Sequence, residues 1–260
     1  MRQLILALLA LAAALPAAEP AVVRVASYNI RVGGMGMDGK RDLARTAGVL
    51  RALRPDVVLL QEVDLNARRS GQVDVPKALA DALGMRPYFA EAMPFQGGSY
   101  GCALLTRLPE GQGGAATLRF VGGSEPRVAL AVPLRAGPGG PEFLAVSTHL
   151  DFRSAKEVEP HARQLAEFLA GEPRPSVLGG DFNFEPGSPV VAALDARLAR
   201  VPFVGPAETY PADQPGKRID HFYVHPAARF RPRECRVVPE AVASDHRPIL
   251  LEVELLPASR

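Results

Sequence analysis

The residues best suited to chemistry begin with one short stretch. Ser176-Val177-Leu178 runs into Gly179-Gly180 and then Asp181-Phe182-Asn183-Phe184-Glu185-Pro186. This reads as a buried strand ending at a turn, with two short polar side chains at its tip. Alternate side chains of an extended segment share a face, so Asp181 and Asn183 are expected to point the same way. A carboxylate beside a carboxamide suits reactions at charged oxygen. The first takes a proton or holds a cation, and the second donates to an oxyanion. Asp and Asn are also ordinary turn formers, so a capped loop explains the stretch when it is taken alone.

The same arrangement recurs along the chain. Asn29 follows the run Val22 to Tyr28, Glu62 follows Asp56 to Leu60, and His149 follows Phe143 to Thr148. Asp220 stands where a later strand begins, and Asp245 and His246 precede the last one. Each has a plain alternative: Glu62 as a surface carboxylate, His149 as a satisfied core histidine, the others as turn formers. Their joint recurrence at strand edges is the signal.

The elements that must position these groups alternate between strand-like and helix-like patterns. Strands are expected at Val22 to Tyr28, Asp56 to Glu62, Tyr100 to Thr106, Val128 to Leu134 and Phe143 to His149, and then at Ile219 to Val224, Arg233 to Val238 and Ile249 to Leu255. Helical spacing marks Arg41 to Leu53, Pro76 to Leu83, Glu157 to Leu169 and Val190 to Leu198. No repeat or linker interrupts the series. The 25 prolines point to many rigid loops, as in a layered α/β fold with functional loop tips.

The first eighteen residues read as a leader rather than part of the fold. Arg2 precedes an uncharged Leu/Ala-rich run from Leu4 to Leu15, and Ala17 and Ala18 come before Glu19-Pro20, the layout of a secretory signal peptide. The run is short for a membrane span, which needs ~20 residues, although a retained N-terminal anchor is the alternative. The expected location is therefore the periplasm or the outside of the cell. Net charge is +2, and no basic run is visible that would mark a dedicated duplex binder. Cys102 lies in an apolar run and Cys235 in a basic stretch. Two buried free thiols are expected rather than a bridge.

Seven segments, taken together and in order, resemble the endonuclease/exonuclease/phosphatase (DNase I-like) superfamily. They are Ser27-Tyr28-Asn29-Ile30-Arg31, Leu60-Gln61-Glu62-Val63, Tyr100 to Arg107, Ser147-Thr148-His149-Leu150-Asp151, Gly179 to Asn183, Arg218-Ile219-Asp220-His221 and Ser244-Asp245-His246-Arg247-Pro248. Thr209-Tyr210-Pro211 with Lys217 to Asp220 is similar to the small bacterial metal-dependent hydrolases of that group. The resemblance implies one catalytic domain over residues 22–257. It also implies a four-layer α/β sandwich, two mainly antiparallel sheets face to face with helices outside. Cys102 departs from the pattern, because many relatives carry Asn there.

The resemblance further implies roles. Glu62 corresponds to the principal ligand of Mg²⁺ or Mn²⁺, with Asn29 beside the metal and Asp245 contributing from the other side. His246 corresponds to the catalytic histidine and Asp220 to the aspartate that orients it. Asp181 aligns or deprotonates the attacking water, and Asn183 and His149 donate to phosphoryl oxygens. Arg31 and Arg218, next to these residues, are candidates to bind a substrate phosphate, with surface ion pairs as the alternative. The expected activity is metal-dependent hydrolysis of a phosphodiester or phosphomonoester by in-line attack of water. The substrate would be a lipid head group, a small molecule or a nucleic acid, and the enzyme a monomer without an obligate protein partner. A secreted nuclease falls within this class. A non-catalytic binding protein on the same scaffold is the reading outside it.

Overall fold

The computed structural model describes residues 21–256; the expected leader, residues 1–18, lies outside them. Twelve strands are described: β1 (Ala21–Asn29), β2 (Val57–Leu65), β3 (Arg86–Phe95), β4 (Gly98–Thr106), β5 (Ala116–Arg119), β6 (Val128–Arg135), β7 (Glu142–His149), β8 (Ser176–Asp181), β9 (Ala199–Arg200), β10 (Asp220–His225), β11 (Phe230–Val237) and β12 (Ile249–Leu255). They form two six-stranded sheets, in the orders β11-β12-β1-β2-β4-β3 and β5-β6-β7-β8-β10-β9. Each sheet has one parallel pair, β1 with β2 and β7 with β8, and is otherwise antiparallel.

The apolar sequence pattern follows from four layers. Val57 and Leu59 join Val25, Leu104, Val132, Phe143, Phe222 and Leu251 in the core between the sheets. Val58 and Leu60 face the other way, onto Leu50 and Leu79 of the helices Leu43–Leu53 and Val75–Leu83. The second sheet does the same with the helices Ala155–Gly171 and Pro189–Asp195, where Val146, Leu178 and Tyr223 meet Leu165, Leu169 and Leu194. A strand buried on both faces reads as an unbroken apolar run, as in Val57-Val58-Leu59-Leu60. Asp42, Asp74 and Ser188 cap three of these helices, each accepting from the backbone N–H three residues on. Cys102 and Cys235 are both buried and free. No described helix is long and apolar enough to cross a membrane.

Gly179 and Gly180 belong to strand β8, which runs through them to Asp181, so the turn comes later than the sequence suggests. A Cβ on Gly179 would meet the Phe222 ring at 2.6 Å and Leu59 at 2.8 Å, and one on Gly180 the Thr148 carbonyl oxygen at 2.0 Å. The glycines are needed for this close approach within the sandwich.

Both parallel pairs end at one edge of the sandwich. Asn29 sits opposite Gln61, and His149 opposite Asp181. β10 runs antiparallel to β8, so its first residue, Asp220, is also opposite Asp181. A buried polar tie joins the sheets just below this edge: Gln61 Nε2 donates to Ser147 Oγ, and Ser147 Oγ to Leu60 O, both at 3.1 Å.

Candidate active site

Glu62 reaches the edge through a β-bulge. The β2–β4 register shifts between Leu60 and Val63, and Glu62 has φ +56°. A non-glycine residue in the left-handed region is disfavoured and persists where its surroundings hold it. Here Asn29 Nδ2 donates to Glu62 Oε1 and Val32 N to Oε2, each at 3.1 Å. Arg31 and Val32, at φ +43° and +48°, form the tight turn that aims that N–H. Arg31 N donates to Asn29 Oδ1 at 3.0 Å, which orients the amide so that Nδ2 also reaches Asp181 Oδ2 at 2.9 Å.

Asp181 and Asn183 both face the site, but not through strand alternation. The strand ends at Asp181; Asn183 adopts φ +58° and its N–H donates to Asp181 Oδ1 at 2.9 Å, an Asx turn. Asn183 Nδ2 donates to Leu150 O at 2.9 Å.

The two site histidines hold opposite charge states. Arg127 Nη1 lies 2.8 Å from His149 Nδ1. A guanidinium only donates, so in the neutral ring Nδ1 is the acceptor and the hydrogen sits on Nε2, 3.4 Å from Asp181 Oδ2. Asn183 Nδ2, also a donor, lies 3.1 Å from Nε2 and is served by Leu150 O rather than by the ring. Burial, then the charges of Arg127 and His246, hold the His149 pKa well below its ordinary value, so the ring is neutral. His246 Nδ1 donates to Asp220 Oδ2 at 2.9 Å, and its Nε2 is 3.5 Å from Asp181 Oδ2. Burial opposes a charge on His246, but Asp220 and Asp181 outweigh it and raise the pKa. Asp181 is itself shifted upward by burial, with His246 pulling it down and Asp220 adding to the rise.

A cavity of about 580 Å³ opens onto these groups. Glu62, His149, Asp181, Asn183, Asp245 and His246 line it, while Asn29 and Asp220 stand behind them as supports. Ser244 Oγ donates to Asn29 O at 2.7 Å and accepts from His246 N at 3.3 Å, fastening the Asp245-His246 loop to the end of β1.

Of the two arginines expected at the substrate, neither lines the cavity. Arg31 lies beside it, its Nε 3.4 Å from Asp245 Oδ2. Arg218 turns away, its guanidinium 4.7 Å from the Phe203 ring centroid. In the extended stretch before β10, Lys217 and Ile219 face the cavity and Arg218 between them faces the opposite side. Arg69, Arg127 and Lys217 supply the cationic lining instead. Sequence reasoning missed all three. The one available signal was an arginine, Arg127, immediately preceding an apolar strand. Cys102, in place of the Asn of many relatives, is buried with Sγ 3.8 Å from Val128 O, outside the polar network.

Two groups of donors are candidates for a divalent cation. Asp181, Asp220 and His246 have ligand atoms within 4.8 Å of one another. They are spent on each other, since His246 Nδ1 is bonded to Asp220, and all three are buried. Glu62 and Asp245 are only partly buried and line the cavity, and the Asn29 amide donates to Glu62. Hard oxygen donors facing a wet cavity fit a cation that keeps several waters.

The sequence matches the Endonuclease/Exonuclease/phosphatase family over residues 26–246. It is 26% identical over 246 residues to the protein YbhP of Escherichia coli K12, covering 89% of this chain and 96% of that one. Among solved structures, an endonuclease/exonuclease/phosphatase from Beutenbergia cavernae superposes with a TM-score of 0.71 at 26% identity, over 91% of this chain and 72% of that one. A mannosyl-6-phosphatase from Bacteroides thetaiotaomicron has the same fold, with a TM-score of 0.71 at 20% identity, over 89% and 99% of the two chains. With the two-sheet sandwich and the polar edge described above, the chain belongs to the endonuclease/exonuclease/phosphatase family.

Proposed function

We propose that the protein is an exported phosphoric ester hydrolase that uses Mg²⁺ or Mn²⁺, held by Glu62 and Asp245 with Asn29 beside it, to split a phosphodiester or phosphomonoester with water. The observation that carries this reading is Asp181. It is a buried carboxylate in contact with Asn29, His149 and His246, in a cavity lined by three further carboxylates, Glu62, Glu125 and Asp245. Burial that raises its pKa makes it a proton acceptor poised for a water. His149 Nε2 and Asn183 Nδ2, 3.1 Å apart, are the donors offered to the phosphoryl oxygens, and Arg127 against Nδ1 favours the tautomer with its hydrogen on Nε2. His246, charged and held by Asp220, balances negative charge at phosphorus and has a proton available for the leaving oxygen. The cation, when bound, supplies further positive charge beside the phosphoryl oxygens.

The substrate is proposed to be a phosphate ester, and the enzyme to act as a monomer. The similarity to a mannosyl-6-phosphatase supports phosphomonoesters as a first class to test. Bis-(p-nitrophenyl) phosphate and p-nitrophenyl phosphate provide the experiment: turnover of at least one should vanish in EDTA and return with Mg²⁺ or Mn²⁺. Full activity in chelator would sink the metal assignment. Export rests on the Arg2 and Leu4–Leu15 leader. The mass of the soluble protein recovered from the native host should correspond to a chain starting near Ala18 or Glu19, and an intact Met1 would contradict it.

A further inference from the structure

Arg69 is built into the cavity wall and has no part in the network around Asp181. It lies on the single turn Arg68–Ser70 after β2, where Arg69 N donates to Gln96 Oε1 at 2.9 Å and its carbonyl accepts from Arg41 Nη1. Its Nε and Nη2 donate to Asp64 Oδ2 and Oδ1 at 2.9 and 2.8 Å, and the Asp64 side chain is wholly buried. The guanidinium carbon lies 4.2 Å from the Phe95 ring centroid and 5.2 Å from that of Tyr100. The fork is therefore fixed on two sides, which removes most of the ordering cost that an arginine meets on binding. Nη1 remains. Among the described residues it has no hydrogen-bond partner, and Arg69 lines the cavity.

Tyr100 relates this cation to the reacting centre. Arg69 packs on its ring, and Arg127 Nη1, which also contacts His149, lies 3.4 Å from its hydroxyl. Two immobilised guanidinium groups thus contact the same tyrosine, Arg69 at its ring and Arg127 at its hydroxyl, and both line the cavity. Arg127 stands at the phosphoryl end. Hydrolysis of a simple ester gives Arg69, at the other end, nothing to bind.

We propose that Arg69 anchors a second anion subsite, so that the preferred substrate carries a second acidic group besides the scissile phosphate. This deepens the hydrolase reading and rests on it. A carboxylate and a phosphate both satisfy the free Nη1 edge, and Phe95 offers the carbon body between the two acidic groups an apolar contact.

The test is a series of alkyl phosphates of increasing chain length, ending in a carboxylate, a second phosphate or a neutral carboxamide, assayed at fixed free Mg²⁺. At the best chain length an anionic end should raise kcat/KM over the carboxamide by about tenfold or more, mainly through KM, as a hydrogen bond to a charged group implies. The carboxylate and phosphate arms show which acid is preferred. In Arg69→Lys the preference should fall to a few-fold. Arg69→Met with Asp64→Leu removes both members of the buried pair, an exchange that folded proteins often tolerate. There the ratio should fall to about one whatever the absolute rate. Carboxamides and acids turned over equally at every length would overturn the subsite and leave the hydrolase standing. So would a preference that survives in the double variant. Turnover of no ester at all, in this series or with the nitrophenyl phosphates, would overturn the hydrolase reading as well.

Discussion

Each sheet carries a central parallel pair, and each pair delivers polar groups to the same edge in a different state. From the first sheet come Glu62, displaced toward the cavity by a bulge, and Asp245 on the loop before β12, both partly open. From the second come His149, Asp181 and Asp220, all buried and all touching another titratable group. A partly open carboxylate can exchange water for a cation. A buried one has its protonation set by desolvation and then by its neighbours: burial raises the Asp181 pKa, His246 pulls it down and Asp220 adds to the rise. In the proposed mechanism the first sheet is therefore the cation side of the site and the second the proton side. His246 arrives with the first sheet and is gripped by Asp220 of the second.

The largest effect should come from breaking that grip. Asp220→Ala and His246→Ala are each expected to lower kcat by on the order of a hundredfold or more, the scale of a positioned proton-transfer group. The double variant should be little worse than the more damaged single variant, because aligned partners are non-additive. The Mg²⁺ concentration for half activity should barely move, since the damage is confined to the proton side. Losses that add in log kcat, or unchanged turnover in His246→Ala, would refute the pair.

The complementary change is Glu62→Gln. The amide keeps the size of the side chain but removes the charge from the cation side. The Mg²⁺ requirement is expected to rise by on the order of tenfold or more, beyond what loss of a supporting partner costs. Rate should be partly recovered at saturating metal. A pure kcat loss with the Mg²⁺ titration unmoved would erase the contrast between the two sheets.

These contrasts were unevenly legible in the sequence. The double-faced strands announced themselves, because Val57 to Leu60 and Val177-Leu178 must be apolar on both sides. Strands β3, β5 and β9 did not. All three are edge strands, much of their surface is open, and β3 contains Pro87 and Pro94, so no apolar periodicity is imposed on them. The groups at strand ends could be named because each borders an apolar run, and the structure gathers Asn29, Glu62, His149, Asp181, Asn183, Asp220, Asp245 and His246 around one cavity. Their conformations could not be read. The bulge at Glu62 and the left-handed Asn183 depend on hydrogen bonds from Asn29, Val32 and Asp181 that form only once the chain has folded. The roles of Arg127 and Arg69 were illegible for the same reason, their meaning coming from His149 and from the rings of Phe95 and Tyr100.

The smallest expected effect tests whether the two sides depend on each other through the polar tie beneath them. Ser147 Oγ is wholly buried, donates to Leu60 O and accepts from Gln61 Nε2. Ser147→Ala leaves that amide hydrogen short of a partner, and an unsatisfied buried group costs about 1–3 kcal/mol. For a domain of this size each kcal/mol corresponds to roughly 2–4 °C in Tm. A drop of several degrees is thus the expected reading in a thermal melt. Gln61 is the immediate neighbour of Glu62, and Ser147 lies on the strand that ends at His149, so a loosened tie acts on both sides at once. The Mg²⁺ requirement and kcat should therefore both worsen, each by no more than a few-fold. A melt shift with both parameters unchanged would show that the bulge and the ends of β7 and β8 are held independently of the tie. A change confined to one parameter would assign Ser147 to that sheet alone.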